Sequence, residues 1–175
     1  HYHPLMTRLR QMDMTFVTAI NGPAVGVGLS LAIMSDYAVA SDNAYFLQAV
    51  ANIGLVPDGG VTYVLPRIVG WRRAMELSMM AERFAADQAL EWGLINKVVD
   101  ADSLMDEAMA VAERFASGPR SLTLIRKAYW ESLNNGYDEQ FKLEVALQNL
   151  AHQSNDNKEG VAAFLEKREA KFTGT

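Results

Sequence analysis

An α/β domain that runs into a helical tail is what this sequence predicts, and three observations carry the prediction. An apolar run, Phe16-Val17-Thr18-Ala19-Ile20, reads as a buried strand. It stops at the Gly/Pro segment Asn21-Gly22-Pro23-Ala24-Val25-Gly26-Val27-Gly28, and an apolar helical run from Leu29 to Met34 begins at once. From Asp102 onward strand signals cease and helical patterns take over, so sheet comes first and helices last.

Taken in order, Leu5, Met6, Leu9 and Met12 keep helical spacing with Arg8 and Arg10 turned outward, which predicts a short amphipathic helix over 4–12. A strand over 15–20 and a helix from about Val27 to Met34 follow, joined by the glycine loop. Glycines 22, 26 and 28 are expected to let the main chain turn tightly and a ligand approach it. Tyr37–Ala40 and Ala44–Gln48 read as short strands around the turn Ser41-Asp42-Asn43. Pro57-Asp58-Gly59-Gly60 is a turn and helix start with Asp58 placed as N-cap, and the helix from Val61 ends at Gly70. Helices over Trp71–Ala81 and Ala86–Trp92, the latter closed by Gly93, precede a last strand, Lys97-Val98-Val99. Four helical stretches complete the chain, at about 102–116, 120–134, 138–153 and 156–169, divided by Ser117-Gly118-Pro119, Asn134-Asn135-Gly136 and Ser154-Asn155-Asp156-Asn157. The domains are thus expected over 1–100 and 101–175.

Composition narrows the function classes. Half of the 175 residues are apolar, which sets the chain apart from disordered sequences. A net charge of −5 argues against nucleic acid as the main ligand, and no apolar run approaches the length of a membrane span. Without cysteine there is no disulfide framework, which is compatible with a reducing, cytoplasmic setting. His1, His3 and His152 are too scattered to assemble a metal centre, so no metal is expected. Ser30 lies outside any Gly-x-Ser-x-Gly elbow and no His–acid pair is spaced for a triad, which argues against serine-hydrolase chemistry. Asp36 and Asp42, at a strand edge and in its turn, read as structural.

The strand–loop–helix arrangement points unpaired N–H groups toward a ligand with partial negative charge. Alone it is a weak signal. It gains weight from motifs that recur in order: Asn21-Gly22-Pro23-Ala24 with Gly26 and Gly28; Ser35-Asp36-Tyr37-Ala38-Val39-Ala40-Ser41; Ala44-Tyr45-Phe46; Gly54-Leu55-Val56-Pro57-Asp58-Gly59-Gly60; Leu65-Pro66-Arg67 with Gly70; Ala89-Leu90-Glu91-Trp92-Gly93-Leu94-Ile95-Asn96-Lys97-Val98-Val99; and Glu159-Gly160-Val161-Ala162-Ala163-Phe164-Leu165-Glu166-Lys167-Arg168. Over essentially its whole length the sequence resembles the crotonase (enoyl-CoA hydratase/isomerase) superfamily. Its opening, Pro4-Leu5 with Arg8-Leu9, and its closing Phe172-Thr173-Gly174 resemble the ring-epoxide and enoyl-CoA isomerases of phenylacetate degradation.

The resemblance implies a crotonase-like ββα spiral core, partial because its N-terminal strands are absent, followed by a C-terminal helical oligomerisation region. It implies an acyl-CoA substrate, no separate cofactor since coenzyme A belongs to the substrate, and a homo-oligomer, a trimer or a hexamer. A chain opening on His1 is not expected at a native start, and roughly the first third of the fold, with one of two oxyanion-hole N–H groups, is expected to be missing. The remaining donor is the N–H of Val27, between Gly26 and Gly28, aimed at the charge that grows on a thioester oxygen. Hydratases of the family place two glutamates where this sequence has Ser30 and Val50, neither of which can act as a base. That points to isomerisation by one acid, Asp58, among Leu55, Val56 and Pro57, an apolar setting that disfavours the charged form.

Asp58 has two compatible readings, helix cap and proton shuttle. The alternative function is hydration of a 2-enoyl-CoA by an unusual water-handling residue. An aryl-CoA dehalogenase calls for a Trp where Val50 stands, and a non-enzymatic, RNA-associated scaffold fits poorly with the acidic balance. Phosphate contacts should come from Lys or Arg. The resemblance points to Phe164 and Lys167 as reaching the CoA nucleotide of a neighbouring subunit, against core packing for Phe164 and a solvated face for Lys167. It also points to Phe46 and Leu29 as acyl-pocket lining. The apolar positions of the tail, Phe115, Leu122, Ile125, Tyr129, Phe141, Val145, Leu147, Leu150 and Phe164, pack either within the chain or against another subunit.

Overall fold

A computed structural model describes residues 2–175. Residues divide into two compact units, one comprising the chain up to Gln11 together with Phe16–Val111, the other Met12–Thr15 together with Ala112–Thr175. The segment 101–111 therefore groups with the sheets.

The first unit begins with helix α1 (His3–Gln11), whose inward Met6 is buried. Strand β1 (Val17–Ile20) pairs in parallel with β3 (Tyr37–Ser41), and β3 with β6 (Lys97–Val99), giving a parallel sheet of order β1-β3-β6. Parallel strands need crossovers, and here they are helical. Asp36 fastens the edge of this sheet: its carboxylate accepts the Phe16 N–H at 2.9 Å, and its own N–H donates to Phe16 O at 3.0 Å. Asp42 closes the following turn, its N–H reaching Val99 O at 2.9 Å. Val39 is wholly buried beneath Leu104 and Ala108 of α6 (Leu104–Ala116), with Val17, Ala19, Tyr37 and Val99 around them.

Of a second, smaller sheet the sequence reading holds only the middle strand, expected over Ala44–Gln48. Pro23–Val25 (β2), in the middle of the expected loop, pairs in parallel with β4 (Tyr45–Leu47), which pairs antiparallel with the two-residue β5 (Phe84–Ala85). Strands this short have no period to detect, and long-range pairing makes them. Helix α5 (Ala86–Glu91) packs on β4 and β5 of this sheet and on β6 of the other; the buried Phe46 and Phe84 stack with centroids 5.4 Å apart, and the half-buried Trp92 lies tilted against Phe84 at 5.2 Å. Helices α2 (Val27–Ile33), α3 (Val61–Val69) and α4 (Trp71–Met79) complete the unit, α2 lying on β2 and α3.

The second unit is helical: α7 (Ser121–Ser132), α8 (Tyr137–Gln153) and α9 (Asn155–Glu166), packed in sequence order. Met12–Thr15 belongs to it because the buried Arg126 donates to Met12 O at 2.9 Å. Ser154 caps α9, accepting the Asn157 N–H at 3.0 Å. Of the tail's apolar residues, Leu147 is buried, whereas Ile125, Tyr129, Phe141, Val145, Leu150 and Phe164 are exposed.

Candidate active site

The site grows from the entry to α2. Gly26 precedes the helix with φ +54°, a left-handed value that side chains resist, and its N–H donates to Leu47 O at 2.9 Å. Glycines 22 and 28 do not share that conformation. What Gly28 provides is space: a Cβ there would meet nothing within 4 Å. Val27 is the first residue of α2, so its N–H has no intrahelical carbonyl, and no acceptor takes it among the described residues.

Ser30, one turn into α2, has 1% of its surface exposed. Its hydroxyl donates to the main-chain oxygen of Asp58 at 2.9 Å and lies 3.4 Å from Gly26 O. The hydroxyl of Ser30 thus ties the glycine entry of α2 to the turn carrying Asp58. The turn is built to accept it: Gly59 and Gly60 have φ +67° and +86°, and a Cβ on Gly59 would sit 3.1 Å from Ser30 Cβ. Val50 lies in the short 3-10 turn Ala49–Ile53, its Cγ1 3.7 Å from where a Cβ on Gly26 would be. Ser30 thus joins the entry of α2 to the Asp58 turn, and Val50 lies against the same entry at Gly26.

Asp58 is not a cap. The cap position of α3 belongs to Gly60, with no side-chain bond, because the two left-handed glycines carry the chain past Asp58 before the helix starts. Its half-buried carboxylate instead accepts a hydrogen bond from the Tyr2 hydroxyl, at the head of α1. That bond, followed by burial and by the nearby carboxylate charge, pushes the Tyr2 phenol above its ordinary pKa. The expected apolar wall around Asp58 is absent: Leu55 and Val56 are 60% and 79% exposed and form an open apolar lip with Ile53.

Phe46 and Leu29 also depart from expectation. Both are wholly buried, Phe46 within the Phe84 stack, and neither has surface to offer an acyl chain. Gln48 went unremarked in the sequence. It is 1% exposed, and both its amide atoms lack a partner among the described residues. Its one signal was a long polar side chain ending the apolar run Ala44–Leu47.

In the second unit, Phe164 is 82% exposed, so it is not a core residue there. Lys167 is exposed and caps α9 in a left-handed conformation, φ +55°. The motif around them owes its ends to a two-pronged pair: Arg168 donates to both oxygens of Glu159, at 2.6 and 3.0 Å. With the Lys171 N–H also donating, Glu159 is held down to about 2. At the start of α9, burial pushes the Asp156 carboxyl up, but N–H bonds from Thr173, Arg120 and Gly174 outweigh it and leave it below the usual range.

Comparison with known proteins gives the family. The family model described as Enoyl-CoA hydratase/isomerase matches residues 1–175. The chain is 42% identical over 174 residues to the 1,2-epoxyphenylacetyl-CoA isomerase of Escherichia coli strain K12, covering 99% of this chain and 66% of that protein. It is 40% identical to a probable enoyl-CoA hydratase of Rhodobacter capsulatus, covering 99% and 68%. A crystal structure of an enoyl-CoA hydratase subunit from Geobacillus kaustophilus superposes with a TM-score of 0.94 at 36% identity, covering 99% of this chain and 68% of that one. The chain spans about two thirds of the length of these relatives. With the α2 entry, the Ser30 tie and the Asp58 turn in place, the chain belongs to the enoyl-CoA hydratase/isomerase family.

Proposed function

We propose that the protein is an acyl-CoA isomerase, in which Asp58 moves a proton along an acyl group whose thioester oxygen is held by the Val27 N–H. The observation that carries this reading is the Ser30 bond to Asp58 O at 2.9 Å, which sets the turn carrying Asp58 against the entry of α2. The Asp58 carboxylate takes a proton from an acyl carbon, the bonding electrons run into the thioester carbonyl, and an enolate oxygen forms. A fixed N–H aimed at that oxygen stabilises it as charge develops. The electrons then return to carbon, and protonated Asp58 delivers its hydrogen at a different position. One acid suffices, whereas hydration must also orient and deprotonate a water. Ser30 is committed to main-chain oxygens and Val50 has no basicity, so neither supplies that second function.

The exposed apolar lip of Ile53, Leu55 and Val56 suits a fatty acyl chain or a ring, and the likeness to an epoxyphenylacetyl-CoA isomerase favours a ring-derived group. Proton shuttling through one carboxylate calls for no resident cofactor. The exposed Phe164 and Lys167 support a contact with the CoA nucleotide of a neighbouring copy, and the exposed Ile125, Tyr129, Phe141 and Leu150 support a homo-oligomer, a trimer or hexamer. The test is product analysis of the full chain with 2-enoyl-, 3-enoyl- and ring-epoxide CoA thioesters. A shifted double bond or rearranged ring is expected. Water addition to crotonyl-CoA as the dominant reaction would replace this reading with the hydratase.

A further inference from the structure

We infer that Tyr2 is a positioning residue for Asp58: its phenol holds one carboxylate oxygen and thereby commits the other to the migrating proton. This rests on the isomerase reading above. A carboxylate has two oxygens and about four acceptor directions, and the Tyr2 hydroxyl is the one donor to this side chain among the described residues. The donor is anchored to the turn it serves. Tyr2 O accepts the Met6 N–H at 3.0 Å, Met6 is 5% exposed, and its methyl lies 3.5 Å from where a Cβ on Gly59 would sit. The head of α1 and the 58–60 turn thus share one contact surface.

The chemistry of the pair is one-sided. A phenol titrates near 10, far above a carboxylate, and the bond to Asp58 raises Tyr2 further. At neutral pH Tyr2 therefore donates without releasing its proton and does not compete for the hydrogen that Asp58 carries. It restricts rotation of the carboxylate, and misplacement by about 1 Å in a proton-transfer site costs up to a hundredfold.

Two measurements on the full chain test this. In NMR of isotope-labelled tyrosine, with Tyr2→Phe assigning the resonance, Tyr2 should titrate above the ordinary tyrosine value and return toward it in Asp58→Asn. An ordinary titration in both proteins would remove the contact and the inference with it. In kinetics, Tyr2→Phe should lower kcat about ten- to a hundredfold with KM within about twofold, and should change nothing further in an Asp58→Asn background. Tyr2 is 37% exposed, so its unfolding temperature should hold. An equal loss in both backgrounds, or a loss confined to KM, would overturn the positioning role. If Asp58→Asn keeps full isomerase activity, the isomerase reading itself fails. If Asp58→Asn is impaired while Tyr2→Phe keeps its kcat, that reading stands and only this inference falls.

Discussion

Asp58 in the first unit and Asp156 in the second stand at comparable places, each just before or at the start of a helix, and they are furnished in opposite ways. Asp156 is 2% exposed and saturated: one oxygen accepts the Thr173 N–H at 2.7 Å, the other the Arg120 N–H at 2.8 Å, while its own N–H holds Thr175 O at 3.1 Å. Asp58 is half-buried, and among the described residues its carboxylate has a single, phenolic donor. A carboxylate with every direction filled by main chain is a fastening, since protonating it breaks bonds that hold the fold. A carboxylate with one oxygen held and one open can exchange a proton while the backbone stays in place.

The largest effect should come from neutralising each acid in turn. Asp58→Asn should slow isomerisation about a hundred- to ten-thousandfold and leave thermal unfolding nearly unchanged. Asp156→Ala should do the reverse, removing the charged acceptor of the Arg120 and Thr173 N–H groups at about 1.5–3 kcal/mol each, as denaturant unfolding would show. If Asp156→Ala unfolded like the parent protein, the distinction between fastening and shuttle would collapse.

Acid titration sharpens the same contrast. Asp156 and Glu159 both ionise below their ordinary values in the fold. Their stabilisation is therefore complete above the unfolded carboxylate range and is lost as pH falls through the folded values. For Glu159 that window runs from 4.5 down to about 2. Unfolding temperature measured across it should fall, and Glu159→Gln should flatten the fall by removing the group that titrates.

Gln48→Met should stabilise the 175-residue chain by about 1–3 kcal/mol, because a buried amide with no partner among the described residues carries an uncompensated desolvation cost. Denaturant melts would check it. The smallest effect belongs to the glycine pair of the loop. Gly28→Ala should raise stability by up to about 1 kcal/mol, since it is helical and unobstructed, yet weaken acyl-CoA binding by filling that space. Gly26→Ala should cost about 1–2 kcal/mol through its left-handed backbone.

The parts of this molecule that announce themselves in sequence are those with a local cause. Val17–Ile20, α2 and the helices after Leu104 follow from apolar runs, periodicity and glycine stops. The strand Phe84–Ala85 had no such cause, because two residues become a strand only when Tyr45 and Phe46 lie beside them. At the site, Val27, Ser30, Val50 and Asp58 were singled out by resemblance to the family. The burial of Phe46 was not, since an aromatic in a core stack and one in an acyl pocket share the same sequence context. Nor was the Tyr2–Asp58 bond, which joins residues 56 apart along the chain.

The most direct test of the account is solvent-deuterium incorporation into a CoA thioester substrate, followed by mass spectrometry, with the full chain and its Asp58→Asn variant. The parent should introduce deuterium at the acyl carbons as the double bond moves, and the variant should lose incorporation and migration together. Continued wash-in by the variant at the parent's rate would contradict the assignment of Asp58 as the group that carries the proton.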